Sequence, residues 1–67
     1  MMEYNFGKIL RELRNEKGIG QAELGKVLNV ANNTISSWER GNSEPTIEQL
    51  RKIAKFFKVS GDDILGL

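Results

Sequence analysis

Amide and hydroxyl side chains are what this sequence has to work with. Its 67 residues include no His and no Cys. That removes the usual general base, the usual zinc ligand, thiolate chemistry and disulfides. The carboxylates form no convergent set for acid–base or metal work; Asp62 and Asp63, side by side, are better explained as favourable charges at a helix start. No enzyme activity, metal or other cofactor is expected. Asn32, Asn33, Ser36 and Ser37 put four hydrogen-bonding side chains within six residues, and the elements around them decide what they can face.

Those elements are legible between Gln21 and Trp38. Leu24 and Leu28, four residues apart, set apolar groups on one face of a helix, and Ile35 and Trp38, three apart, do so on a second. Two helices joined by a three- or four-residue turn come so close that one position must nearly lack a side chain, and Gly25 supplies it. Asn29 falls where the chain must reverse, and Asn accepts left-handed backbone angles more readily than other non-glycine residues. Val30 returns an apolar group to the crossing. The spacing reads as a helix-turn-helix and points to DNA.

The length allows one domain, residues 1–67, near the lower limit at which an apolar core holds without staples. Charged residues at 28% and apolar ones at 39% suit a folded chain. The net charge of +1 is too small to identify a nucleic-acid binder by itself. No apolar run approaches the ~20 residues of a membrane span, and the amino terminus lacks a basic segment followed by an apolar one, so a cytoplasmic protein is expected.

Five helices are predicted. Asn5 is placed to cap the first, whose stripe is Phe6, Ile9, Leu10 and Leu13, and Gly18 ends it. The second starts near Gln21 after Gly20, the third runs from about Asn32 to Glu39 or Arg40, and Gly41 stops it. After a loop closed by Pro45, Thr46 and Gln49 have capping-box spacing and open a fourth helix with Ile47, Leu50, Ile53, Ala54 and Phe57 on one stripe. Ser60 and Asp63 repeat the pattern before a short fifth helix.

The segments Gly18-Ile19-Gly20-Gln21-Ala22-Glu23-Leu24 and Ile35-Ser36-Ser37-Trp38-Glu39-Arg40-Gly41, with Glu44-Pro45, resemble the phage repressor and Cro type of helix-turn-helix, the XRE family, over residues 6–65. The resemblance implies an all-α, compact five-helix bundle, a lambda-repressor-like DNA-binding domain whose third helix enters the major groove. It implies base contacts from Asn32, Asn33, Ser36 and Ser37. An Asn carboxamide can pair with adenine N6 and N7 at two points; Asn32 could also cap its helix, since Ala31 cannot. It implies phosphate contacts from Gln21, Arg40, Asn42 and Ser43, with Lys26 and Lys17 as further candidates. Arg14 and Glu39 match an ion pair that orients the first helix against the third.

The function so implied is sequence-specific binding of double-stranded DNA by a transcriptional repressor. A homodimer on an inverted-repeat operator is expected, because one short helix reads only a few base pairs. At the start of the fifth helix, Gly61, Asp62 and Asp63 stand where family members commonly place apolar dimer contacts. Phe56, Leu65 and Leu67 offer an alternative apolar patch. Lys58 replaces a common helix-ending Gly, at modest conformational cost. The rival reading is a protein-interaction module of the same fold, of antitoxin or coactivator type.

Overall fold

The computed structural model describes residues 6–65. Asn5 and Leu67, and the side chain of Leu65, lie outside what it describes. Five helices follow in order, α1 (Phe6–Lys17), α2 (Gln21–Leu28), α3 (Asn32–Arg40), α4 (Ile47–Phe57) and α5 (Gly61–Leu65), with no strand among the described residues. Every helix sends at least one side chain into a single core of Phe6, Leu10, Leu24, Leu28, Ile35, Trp38, Ile53 and Ile64. Fully burying such a side chain contributes about 1.5–3 kcal/mol before chain entropy is counted. The Phe6 and Trp38 rings meet edge to face at 6.3 Å and tie α1 to α3.

Backbone geometry explains the α2–α3 corner. A Cβ on Gly25 would stand 2.6 Å from the Val30 carbonyl oxygen, because that is where the Val30 N–H donates to the Gly25 carbonyl at 2.8 Å. Asn29 takes the left-handed conformation, φ 61° and ψ 44°, that turns the chain. A second close approach went unread in the sequence. A Cβ on Gly7 would lie 2.5 Å from the Trp38 carbonyl oxygen and 2.6 Å from that of Glu39, so α1 touches the end of α3 backbone to backbone.

Local capping sets the later helices. Thr46 Oγ1 accepts the Gln49 N–H at 3.1 Å while Gln49 Oε1 accepts the Thr46 N–H at 2.7 Å, a complete capping box. Ser60 Oγ accepts the Asp63 N–H at 3.0 Å. Lys58 ends α4 with left-handed angles, φ 59°.

Two apolar expectations need correction. Ile47 does not join the buried stripe of α4 but is 70% exposed. The reason is length: α5, which covers this side of α4, has five residues and is only about 7.5 Å long. Its end leaves an apolar groove lined by Ile47, Leu50, Arg51, Ala54, Gly61 and Ile64. Phe56, in turn, is no free patch: it packs half-buried against the core, edge-on to Phe57 at 5.0 Å, with Lys17 Nζ 5.0 Å above its ring.

Candidate nucleic-acid interface

The α3 helix has two chemically opposite faces. Ile35, Trp38 and Glu39 point inward, 0%, 3% and 7% exposed, while Asn32 and Asn33 are exposed and Ser36 and Ser37 half-exposed on the outer side. Neither Asn carboxamide has a hydrogen-bond partner among the described residues. The N-cap is Ala31, with no side-chain hydrogen bond, and Asn32 is the first residue inside the helix; it does not cap. Helix α2 likewise starts at Gly20 with no side-chain cap. The first-turn N–H groups of α2 and α3 are therefore left for water or an anion, in contrast with those of α4 and α5.

Behind this surface lies a charged network. Glu39, whose side chain is fully buried, accepts from Arg14 Nε at 2.7 Å, Arg14 Nη2 at 3.0 Å and Gln21 Nε2 at 3.1 Å. Arg14 Nη1 also donates to the Ile19 carbonyl at 3.0 Å, and Arg11 Nε stands 3.6 Å from the same carboxylate. Burial by itself pushes the Glu39 carboxyl up. The hydrogen bonds from Arg14 and Gln21, with the positive charges of Arg14 and Arg11, outweigh it and hold the group below the usual carboxylate range. The hydrogen bond to Glu39 raises the Arg14 guanidinium in turn. The network joins the end of α1, the start of α2 and the last turn of α3, so the relative positions of these three elements depend on one carboxylate.

Other candidates are distributed around this frame. The Gln21 side chain spends an amide hydrogen on Glu39, a link the sequence reading of a phosphate contact did not contain. Ser37 Oγ lies 2.7 Å from Ser43 Oγ, and the Ser37 carbonyl accepts the Asn42 N–H at 2.9 Å. Arg40 is exposed at the end of α3 and Asn42 and Ser43 just past it, and Lys26 is exposed on α2. Lys17 is instead engaged with Phe56 of α4. Arg11 reaches Glu39 from three residues before Arg14 on the same helix face, a spacing visible in the sequence that ties it to this carboxylate.

Comparison with known proteins agrees with this geometry. The helix-turn-helix family model matches residues 10–64. The chain is 41% identical over 65 residues to the HTH-type transcriptional activator BcrR of Enterococcus faecalis, covering 97% of this chain and 31% of that protein. It is 41% identical over 59 residues to Repressor protein C2 of Salmonella phage P22, covering 88% of this chain and 27% of that one. The chain thus spans about a third or less of the length of these two relatives. The crystal structure of the P22 c2 repressor in complex with synthetic operator 9T, in the presence of Tl+, superposes with a TM-score of 0.86 at 38% identity, covering 94% of this chain and 96% of that one. The match across residues 10–64, on a fold that turns through Gly25 and Asn29, means that the chain belongs to the helix-turn-helix family, of the phage-repressor type.

Proposed function

We propose that this chain is a sequence-specific, double-stranded DNA-binding transcriptional regulator of the cytoplasm, acting as a repressor and not as an enzyme. One observation carries the reading: α3 presents unpartnered carboxamides at Asn32 and Asn33, and the hydroxyl of Ser36, from a helix whose other face is locked in the core. Those three residues read base edges in the major groove, each two-point Asn contact discriminating by about 1–3 kcal/mol. The uncapped first turn of α2 and the side chains of Gln21, Lys26, Arg40, Asn42 and Ser43 hold phosphates on either side. The P22 protein's complex with an operator supports the assignment.

Two copies act together on an inverted repeat. The face assigned to the second copy is the groove between α4 and α5, where the exposed Ile47 is a knob beside its own hole. Arg51 lines the groove, and the exposed Asp62 follows the lining Gly61 in the chain; these are opposite charges that a two-fold axis can pair.

Selection of bound sites from a random duplex pool tests the function directly. An inverted repeat is expected, bound with an affinity that falls steeply with salt. Asn33→Ala should relax preference at one position per half-site, and Gln21→Ala should weaken all sequences alike. Recovery of no preferred site, with little salt dependence, refutes the reading in favour of a protein-interaction module.

A further inference from the structure

We propose that Ser37 donates to no base but is a latch, which holds the loop after α3 and sets the direction in which Ser43 offers its proton. This rests on the DNA-binding reading above. The pair Ser37 Oγ and Ser43 Oγ are 2.7 Å apart, the optimum for an O–H···O hydrogen bond. The same residue's carbonyl accepts the Asn42 N–H at 2.9 Å, so Ser37 fastens two consecutive loop residues, Asn42 by its main chain and Ser43 by its side chain. Between them and α3, Gly41 makes the left-handed turn, φ 78°, and Pro45 is buried at the far end of the loop. The stretch between is exposed and borders a recess of about 170 Å³ that Ser43 and Glu44 share with Phe6, Gly7 and Trp38. Among the described residues, no other side-chain hydrogen bond holds it.

Proton counting then assigns roles. Each hydroxyl has one hydrogen to donate and two lone pairs. One of the two hydrogens lies inside the pair, so only one points outward. A phosphate oxygen can only accept. If Ser43 is to serve a phosphate it must donate outward, and Ser37 must be the donor within the pair. The inner bond also polarises the outer O–H and strengthens it as a donor. Ser37, with its single hydrogen committed, has none left for a base acceptor.

The test uses the full chain on the sites recovered from a random duplex pool, with Ser37→Ala, Ser43→Ala, the double variant and Ser43→Thr. Either alanine variant should weaken the preferred site and each of its single-base variants by one common factor, about two- to tenfold for a lost neutral hydrogen bond. The base-preference profile should stay unchanged. The double variant should be no weaker than Ser43→Ala, and Ser43→Thr should restore wild-type affinity. If Ser37→Ala flattens preference at one position, or if the two losses multiply, the latch is refuted while the DNA reading stands. Absence of any preference in the wild-type chain refutes both.

Discussion

Replacing Glu39 by Gln asks how much of the molecule depends on the α1–α2–α3 junction. The substitution keeps the shape of the side chain and removes its charge. It also replaces one acceptor oxygen by an NH2 group that faces N–H donors of Arg14, whose Nε and Nη2 now sit 2.7 and 3.0 Å from the carboxylate. Removing one partner of a buried ion pair costs about 3–5 kcal/mol. Arg14 retains 13% exposure, so some solvation returns and the low end, ~3 kcal/mol, is expected. A chain of this size has a total stability of only about 3–10 kcal/mol. With a urea dependence near 1 kcal/mol per molar, the unfolding midpoint should fall by about 3 M or unfolding should occur without denaturant. The double variant Arg14→Met/Glu39→Leu should be more stable than Glu39→Gln alone, because it leaves no buried charge uncompensated, Arg11 being 54% exposed. A midpoint within about 0.5 M of wild type would refute the buried network as drawn.

The same carboxylate predicts an acid response: its folded-state pKa lies below the unfolded value, ~4.3, so its contribution is complete above that value and is lost as the pH falls through the folded one. Urea midpoints between pH 7 and 3 should show that decline in the wild type, with this part of it absent from Glu39→Gln. Gly7→Ala should destabilise by about 1–3 kcal/mol despite better helix propensity, since its Cβ meets backbone carbonyls of α3 that cannot swing away; thermal melting checks it, and an unchanged midpoint would mean the helices part easily. Lys58→Gly should stabilise by up to about 1 kcal/mol, because a side chain at φ 59° pays a left-handed penalty that glycine does not; a lowered melting temperature would contradict this. Ile47→Glu should leave the fold intact, as the residue is 70% exposed, yet leave a monomer in sedimentation where the proposed α4–α5 interface makes the wild type a dimer; persistence of a dimer would move the interface elsewhere.

What the linear chain determined is whatever depends on neighbours within a turn or two. The αL turn at Asn29, the capping box of Thr46 and Gln49 and the stripe that buries Ile35 and Trp38 follow from local angles and a 3.6-residue period. The family resemblance, by matching positions far apart, brought Arg14 and Glu39 together, which spacing alone could not. Tertiary structure decided the rest, because each case turns on which element arrives opposite and how far it reaches. Gly7 is needed only because α3 carbonyls come within van der Waals range. Ile47 is exposed only because α5 stops short, and Lys17 turns to Phe56 because the ends of α1 and α4 meet. Ser37 faces Ser43 only because the chain doubles back through Gly41. Periodicity assigns a residue to a side of its own helix; what stands across from that side is a property of the assembled bundle.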